Sequence, residues 1–332
     1  MSCYTAAHIE PKGPGDARPT ALQIVQDEGA HDQLQGHVIV ITGTSSGIGI
    51  ETVRALAATG ATLYLTARDL NKATTALDGI FDPSRMELFQ MDQESLSSVR
   101  AAATAILSKT SKIHALINNA GIMGIPDLRF TADGHELQFG TNHLSHFLLF
   151  KLLEPALLAS ASTALPSRVV NLSSSGHNLH GINSSDNYAF ERGDYDGNAA
   201  YGQSKTANIY MANEIERRYG ARHLHATSVH PGIIATGLTR HMPPDAFKGM
   251  DHLWPLMKSP EQGAATTVWA AVGKLWENQG GKYLVDCAVA DPGSGGEDKM
   301  ITSTYADYAY DAEKEGRLWA DSLKLVGLEA EE

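Results

Sequence analysis

Continuous apolar runs alternate with helical segments from Gly36 onward, and this alternation restricts the fold more than any other feature. The run 38–41 (Val-Ile-Val-Ile) is apolar at every position, which is typical of a strand buried on both faces. Strands are predicted over 37–42, 62–66, 86–91, 113–117, 168–172, 225–229 and 282–285, seven in all. The intervening segments predict helices, including long ones over about 135–158 and over 201–219. Such alternation implies one α/β domain, doubly wound, with a mainly parallel seven-stranded sheet and flanking helices.

Composition excludes several classes of protein. Lys and Arg number 26 against 38 Asp and Glu, a net charge of −12, which disfavours nucleic acid and anionic membranes as partners. The two cysteines, Cys3 and Cys287, predict no disulfide framework and fit a reducing compartment. The most apolar stretch, 147–158, is interrupted by Lys, Glu and Pro, so no stable membrane insertion is expected. The 14 histidines are scattered singly, and no metal site is predicted. We therefore expect a soluble, cytoplasmic protein.

Three regions are predicted along the chain. Residues 1–35 form an N-terminal extension, and Pro and Gly make 1–20 look like a mobile tail. Residues 36–290 form the catalytic domain, with an apolar substrate flap at about 238–257. Residues 291–332 form a C-terminal extension that turns polar and is expected to be surface structure or a frayed end.

A glycine-rich turn joins the first predicted strand to the first helix of the domain. It contains Gly43, Ser45, Ser46, Gly47, Ile48 and Gly49. Glycines let a chain turn sharply and bring backbone amides close to a pyrophosphate, and the positive end of the next helix then faces the negative charge. The position of this turn predicts a Rossmann-like dinucleotide site, whereas a glycine motif alone is weak evidence and is also compatible with a plain tight turn.

Tyr201 and Lys205 lie four residues apart in a predicted helix and therefore share one face. A free phenol has a pKa near 10 and exchanges protons poorly at neutral pH. A nearby ammonium and the positive nicotinamide ring of an oxidised cofactor both favour phenolate. The pair predicts an acid/base, although an amphipathic helix also supplies this spacing by chance.

The glycine spacing G-x-x-x-G-x-G, combined with Tyr-x-x-x-Lys, resembles the short-chain dehydrogenase/reductase superfamily. The resemblance runs from about Gly36 to Asp286 through six motifs in the family's order. The Ala-Arg-Asp run 67–69, the Tyr-x-x-Ser-Lys-x-Ala-Asn run 201–208 and the His-Pro-Gly run 230–232 look most like the retinol-dehydrogenase-like branch. Tyr201 and Lys205 are then implied to contact the cofactor as well as the substrate.

The resemblance implies two further catalytic residues. Ser174, in the serine run after the fifth strand, would hydrogen-bond the substrate oxygen, with Ser173 as the alternative and a turn-capping role as the competing explanation. The carboxamide of Asn142 would hold a helix distortion open so that its carbonyl binds a water relaying protons from Lys205. A buried asparagine with a purely structural role is the alternative.

Several cofactor contacts are implied in the same way. Asp92 would contact adenine, and Asn118 and Gly121 of the Asn-Asn-Ala-Gly motif would line the adenosine half, although asparagines there also tie strands together. The nicotinamide carboxamide would contact the turn formed by Pro231 and Gly232 and the hydroxyl of Thr236.

The end of the second strand selects the cofactor. In the family's register Ala67 takes the place of the acid that holds ribose hydroxyls, and Arg68 follows where a guanidinium grips a 2′-phosphate. NADP, as NADPH, is thus expected over NAD, with Lys72 as a second phosphate contact. Asp69 is the complication, because it lies close to the position of a ribose carboxylate.

These residues predict an NADP(H)-dependent oxidoreductase that interconverts a small lipophilic ketone or aldehyde and its alcohol. The apolar segment 238–257 suits such a substrate, unless it merely packs a short helix onto the domain. A non-catalytic dinucleotide sensor and a retinoid or steroid dehydrogenase at a lipid surface are the alternatives. The helix over 147–158 is expected in the core or, with the Tyr201 helix, in a homodimer interface as in many family members.

Overall fold

A computed structural model describes residues 2–241, 251–293 and 301–331. Within these ranges the main sheet has eight strands in the order β10-β9-β6-β5-β4-β1-β2-β3. Their bounds are β1 Val38–Thr42, β2 Thr62–Ala67, β3 Met86–Gln90, β4 Ala115–Asn118, β5 Ser167–Leu172, β6 Leu224–His230, β9 Lys282–Val285 and β10 Ala288–Val289. A separate parallel pair joins β7 Ile233–Ile234 to β8 Met257–Lys258.

Helices cover both faces of the main sheet. They are α1 Ala21–Asp27, α2 Ile48–Ala57, α3 Leu70–Ala76, α4 Leu96–Leu107, α5 Leu137–Phe139, α6 Ser145–Ser160, α7 Gly197–Tyr219, α8 Pro260–Gly263, α9 Ala265–Val272 and α10 Ala312–Leu325. One apolar core lies between the sheet and α4, α6 and α7, with Phe147 and Tyr210 among its members. A second lies on the opposite face, where Leu56 of α2 and Trp269 of α9 pack. The sheet is therefore doubly wound, as predicted.

The predicted seven parallel strands are confirmed, but the sheet has an eighth strand. β10 pairs antiparallel with β9 through a two-residue turn at Asp286 and Cys287. A two-residue strand carries no readable periodicity, which is why the sequence pattern does not reveal it. The strand predicted over 113–117 is shifted, because Ile113 precedes β4 and its amide bonds the carbonyl of Ala156 instead.

The prediction of a mobile tail over 1–20 is wrong for the described residues of that stretch. Arg18 is 4% exposed and donates to the backbone carbonyls of Gly13, Leu256 and Met257. Its Nε also pairs with Asp16, 2.8 Å away. A guanidinium has five donors, and here carbonyls distant in sequence satisfy most of them, which a composition rich in Pro and Gly does not reveal.

The C-terminal segment is also more structured than expected. Asp311 caps α10 by accepting from the amide of Lys314, and Leu318, Trp319 and Leu323 bury one face of this helix. The Trp319 ring packs edge-on against Phe147 of α6, with centroids 4.9 Å apart. Of the two expectations for this segment, surface structure holds over α10 and a frayed end does not. α10 covers part of the surface of α6, where a homodimer interface was one expectation.

Two further predictions concern membranes and the substrate flap. In the part of the chain that the structure describes, no helix has the length and apolarity needed to cross a membrane. Of the flap predicted at about 238–257, Met242, Pro243, Pro244, Phe247 and Met250 lie outside the described residues. Its last part forms a 3₁₀ helix over Asp251–Leu256 followed by β8.

Candidate active site

The carboxyl ends of β1, β4, β5 and β6 lie side by side at one edge of the sheet. Parallel strands bring their following turns together at this edge, which is where open α/β sheets bind ligands. The turns that follow these strands hold the glycine loop, the Asn-Asn-Ala-Gly run, the serine run and the Pro-Gly turn. The topology thus gathers the predicted motifs at one cleft.

The glycine loop turns sharply into α2. Gly47 precedes this helix with φ +61°, a conformation that side chains rarely adopt. A Cβ on Gly49 would lie 2.2 Å from the carbonyl oxygen of Gly43, so only glycine fits there. Since Gly47 has no side chain to cap α2, the amides of Ile48 and Gly49 are available to an anion, whereas the amide of Ile50 bonds the carbonyl of Gly47 at 3.2 Å. Ser46 is exposed, and Ser45 and Ile48 are half-buried beside it.

At the far end of β2, the two charged residues of the Ala-Arg-Asp run have different partners. The side chain of Arg68 is 63% exposed, and its Nη1 lies 2.9 Å from Oε1 of Glu94. The carboxylate of Asp69 accepts from the amide of Lys72 at 3.0 Å and so caps α3. Lys72 is exposed on the first turn of that helix. Asp69 thus caps its own helix, whereas the Arg68 guanidinium faces solvent and is paired with Glu94.

The remaining predicted adenosine contacts have structural partners. Asp92 accepts from the amide of Glu94 at 3.0 Å and is half-buried. The Asn118 amide donates to Asn171 of β5 at 2.8 Å and thereby ties two strands together. Asn119, which the sequence analysis did not single out, donates to the carbonyl of Thr42 at 2.7 Å. The asparagine pair therefore fixes the relative positions of β1, β4 and β5 beneath the cleft.

The structure places Tyr201 and Ser174 beside each other. Tyr201 is 4% exposed, and a Cβ on Gly176 would lie 2.7 Å from the Tyr201 ring and 3.4 Å from Oγ of Ser174, so both side chains border this glycine. Ser174 also accepts from the amide of Gly176 at 3.0 Å. The alternative, Ser173, instead donates to the carbonyl of Lys205 at 2.8 Å and is committed to α7. The geometry therefore favours Ser174 as the partner of Tyr201.

Lys205 lies next to this pair. Its Nζ is 5.6 Å from the centroid of the Tyr201 ring and donates to the carbonyl of Leu172 at 3.0 Å. A Cβ on Gly121 would lie 3.4 Å from the same Nζ, so the Asn-Asn-Ala-Gly turn passes directly over the lysine. Tyr201, Lys205 and Gly121 thus border one space.

Burial dominates the pKa values of both groups. It raises the pKa of Tyr201 to about 12, and the hydrogen bond from Ser174 lowers this pKa only in part. It also lowers the pKa of Lys205 to about 8. Desolvation disfavours the charged form of each group, which explains the opposite directions. The side chains alone therefore keep the phenol protonated at neutral pH, contrary to the lowering expected from Lys205.

Asn142 lies in a π-helical turn over Gly140–Leu144, between α5 and α6. Its carboxamide accepts from the amide of Ile122 at 2.8 Å and donates to the carbonyl of Ile122 and to Ser204. The helix distortion expected at this residue is thus present, and its side chain links the turn after β4 to α7. Its backbone carbonyl faces Nδ1 of His146, 3.0 Å away, so one of its two lone pairs has a partner.

His146 and Thr42 extend this network to β1. Burial lowers the pKa of His146 to about 4, so the ring is neutral. Because Nδ1 faces a carbonyl it carries the proton, and Nε2 accepts from the Thr42 hydroxyl at 2.9 Å. That hydroxyl accepts in turn from the amides of Asn119 and Ala120, both at 3.0 Å. The distorted helix and the glycine loop are therefore connected by one chain of hydrogen bonds.

A second buried histidine, His177, hydrogen-bonds the backbone of Ser174. His177 Nδ1 lies 2.7 Å from the carbonyl of Ser174, and its Nε2 accepts from the amide of Ala306 at 3.2 Å. Burial lowers the pKa of His177 to about 4. The C-terminal segment thus fixes the loop that carries the active-site serine.

The Pro-Gly turn closes the other side of the cleft. A Cβ on Gly47 would lie 3.5 Å from Thr236, so the threonine lies against the glycine loop. The carbonyl of Pro231 accepts from Lys258 of β8 at 3.4 Å. Pro231, Gly232 and Thr236 are half-buried. The structure places these residues at the same cleft as Tyr201 through the neighbouring ends of β5 and β6.

Sequence reasoning missed four residues of this site, namely Thr42, His146, His177 and Lys258. A readable signal exists only for His146, which follows Asn142 by four residues and so lies on the same helix face. Thr42 and His177 lie next to predicted motifs, but their distant contacts, with Asn119 and with Ala306, have no local signal, and Lys258 meets the site only through contacts distant in sequence. Across the described ranges, no group of three His, Cys, Asp or Glu side chains is arranged to hold a metal ion.

Comparisons with known proteins agree with this geometry. The pattern of the short chain dehydrogenase family matches residues 37–246. The short-chain dehydrogenase/reductase prx1 of Penicillium rubens is 49% identical over 328 residues, which cover 98% of this chain and 95% of that protein. Retinol dehydrogenase 12 of Mus musculus is 38% identical and covers 90% of this chain and 89% of its own length.

A solved structure extends the likeness to three dimensions. An uncharacterized protein from Mycobacterium paratuberculosis superimposes with a TM-score of 0.69 at 32% identity, covering 92% of this chain and 98% of that one. Fold, motif order and overall identity thus point the same way. The chain therefore belongs to the short-chain dehydrogenase/reductase family of oxidoreductases, in its retinol-dehydrogenase-like branch.

Proposed function

We propose that the protein is an NADP(H)-dependent oxidoreductase that interconverts a lipophilic ketone or aldehyde and its alcohol, with Tyr201 as acid/base. The observation that carries the proposal is that the Tyr201 ring and the Ser174 hydroxyl both border Gly176, with Lys205 Nζ 5.6 Å from the centroid of the phenol ring. Two neighbouring hydroxyls can hold a carbonyl oxygen and give it a proton.

The cleft fits a dinucleotide. Gly47 leaves the amides of the α2 N-terminus open, and the close packing at Gly49 draws the loop backbone toward the place of a pyrophosphate. Thr236 and Gly121 border the neighbouring space, where the nicotinamide would lie. Together these residues would hold the cofactor across the carboxyl ends of β1, β4 and β6.

NADP is proposed over NAD because of the partners of Arg68 and Asp69. Asp69 already accepts from the amide of Lys72, and this use as a helix cap competes with a role in holding ribose hydroxyls. Arg68 is 63% exposed, and its only charged partner among the described residues is Glu94, itself 34% exposed. A planar guanidinium suits a 2′-phosphate.

When bound, the reduced nicotinamide supplies a hydride to the carbonyl carbon. Ser174 and Tyr201 hold the substrate oxygen, and Tyr201 gives its proton as negative charge develops there. Lys205 stabilises the phenolate that remains, because its ammonium lies close to the ring. Asn142 keeps the turn after β4 in place through its bonds to Ile122, and a water on the second lone pair of its carbonyl would complete the relay to Lys205.

A lipophilic substrate is supported by the described end of the 238–257 segment and by the relatives. Trp254 is 60% exposed and Leu256 37% exposed in this segment. A retinoid or steroid alcohol is the second candidate substrate, and the 38% identity to retinol dehydrogenase 12 favours it. A non-catalytic sensor is disfavoured, since the Ser174, Tyr201 and Lys205 set is complete.

The test is a screen of NADPH consumption with lipophilic ketones, aldehydes, quinones and retinal, run in parallel with NADH. We expect turnover with NADPH, and a loss of about 100- to 10,000-fold in kcat for Tyr201→Phe. Tyr188→Phe is a matched control, since this phenol contacts Asp321 and lies outside the proposed chemistry. Near-normal turnover by Tyr201→Phe would contradict the proposed mechanism.

A further inference from the structure

Lys258 lies directly against the Pro-Gly turn of the cleft, although no motif of the sequence points to it. It is 4% exposed, and its Nζ donates to Asp286 at 2.6 Å and to the carbonyl of Pro231 at 3.4 Å. A Cβ on Gly232 would lie 2.8 Å from the Lys258 side chain, so glycine is what lets the two approach. The lysine therefore contacts both residues of the turn.

Asp286 sits in an unusual backbone conformation. It and Cys287 form the turn between β9 and β10 with φ values of 53° and 52°. Such turns ordinarily use Asn-Gly or Asp-Gly, and a side chain other than glycine costs about 1–3 kcal/mol there. Two contacts stabilise this conformation. The Asp286 carboxylate accepts from Lys258, and the amide of Cys287 donates to the hydroxyl of Thr266 at 3.1 Å.

Two residues of the N-terminal segment hold this pair from the outside. Nδ1 of His8 lies 3.3 Å from the same carboxylate oxygen of Asp286 that binds Lys258. Arg18 donates to the carbonyl of Met257, the residue before Lys258. Burial raises the pKa of Asp286, but the Lys258 ammonium and His8 outweigh it and hold this pKa well below its ordinary value. Asp286 is therefore ionised at neutral pH and pairs with the lysine.

From these contacts we propose that Lys258 is a positioning residue that fixes the turn of Pro231 and Gly232 against the nicotinamide half of the cofactor. A buried ammonium is costly unless it is paired and hydrogen-bonded, and here its partners are the Pro231 carbonyl of this turn and the Asp286 carboxylate of the adjacent turn between β9 and β10. The proposal rests on the proposed function, since the turn matters to catalysis only if a nicotinamide lies beside it. A lysine with a merely structural role would affect all ligands of the cleft alike.

The test compares two ligands by isothermal titration calorimetry on the full chain. One is NADP⁺, and the other is adenosine 2′,5′-bisphosphate, which carries the adenosine half without the nicotinamide. The variant is Lys258→Met combined with Asp286→Asn, which leaves no unpaired charge, and Asn tolerates a positive φ. We expect the affinity for NADP⁺ to fall about 10-fold or more, as misplacement of a positioning group does, and the affinity for the bisphosphate to stay within about 2-fold.

The control variant combines Lys109→Met with Glu87→Gln, which removes an exposed ion pair between β3 and the segment after α4, and leaves both affinities unchanged. Lys258→Arg keeps the charge and serves if the double variant does not fold, with the same selective loss by a smaller factor. An equal loss for both ligands, or no loss for either, overturns the proposal about Lys258 alone. Wild-type protein that binds neither ligand overturns the proposed function and this proposal with it.

Discussion

Replacing Arg68 and Glu94 separately tests how the chain selects its cofactor. If Arg68 grips a 2′-phosphate, Arg68→Ala removes charge-assisted hydrogen bonds that contribute about 1.5–3 kcal/mol. The Michaelis constant for NADPH should then rise about 10- to 150-fold, because each 1.4 kcal/mol corresponds to about tenfold. NADH lacks the phosphate, so its Michaelis constant should change little.

Removing the charge of Glu94 should have the opposite effect on the Michaelis constant for NADPH. Its pair with Arg68 is partly exposed on both sides, with side chains 63% and 34% exposed, and such a pair contributes about 0–1 kcal/mol. The phosphate must displace Glu94 to reach the guanidinium. Glu94→Gln should therefore lower the Michaelis constant for NADPH, by up to about fivefold, and leave NADH unchanged.

Steady-state kinetics with both cofactors measures these effects, at low and high salt because the contact is exposed. Glu87→Gln removes an acid of β3 from a different exposed pair, with Lys109, and should alter neither constant. Asp69→Asn keeps the helix cap and should leave NADH turnover unchanged. Equal effects of Arg68→Ala on NADPH and NADH would refute the assignment, and so would a loss of NADH binding in Asp69→Asn.

Three further predictions follow from burial. Because burial lowers the pKa of Lys205 to about 8, kcat/KM for carbonyl reduction should fall above about pH 8. Lys205→Arg should move this fall in kcat/KM to higher pH. A kcat/KM that stays constant up to about pH 10 contradicts the prediction. Burial lowers the pKa of His146 and His177 to about 4, below their unfolded value of about 6.5. Stability is thus fully present above pH 6.5 and should be lost as pH falls toward 4, by up to about 1.4 kcal/mol per pH unit for each histidine, as urea unfolding can measure. Trp319→Ala should lower the free energy of unfolding by about 3–5 kcal/mol, because its ring packs against Phe147. Light scattering of the unaltered protein should show a monomer, because α10 covers Phe147 of α6. A dimer formed through this face of α6 refutes the prediction of a monomer.

The sequence predicts the sheet well because its strands are buried on both faces. Continuous apolar runs such as 38–41 have few alternative structures, and parallel connections follow from the helices between them. α10 does carry a local signal, because Leu318, Trp319 and Leu323 share one helical face and Asp311 caps the helix, and the polar composition around them hides it. Arg18 is missed for a different reason, since nothing local indicates that carbonyls more than 200 positions away will accept its protons.

For the site, predictability follows topology. Side chains placed just after parallel strands meet at one edge, so Ser174, Gly121 and Thr236 can be assigned to one cleft from their order alone. Residues that support these groups from behind have no such rule. Lys258 ends the short strand β8 and Asp286 lies in the turn between β9 and β10, and only the three-dimensional structure shows their contact.

In the proposed mechanism, the protonation state of Tyr201 links the fold to the direction of the reaction. Burial raises its pKa to about 12, so at neutral pH the phenol would carry the proton that carbonyl reduction consumes. Alcohol oxidation needs the reverse, a phenolate, which among the described residues the Ser174 hydroxyl and the Lys205 ammonium favour. Since burial also lowers the pKa of that ammonium to about 8, raising the pH to ionise the phenol removes the charge that would stabilise it. The side chains of this cleft are therefore better prepared for reduction than for oxidation, and the positive charge of an oxidised nicotinamide is what the oxidative direction would require.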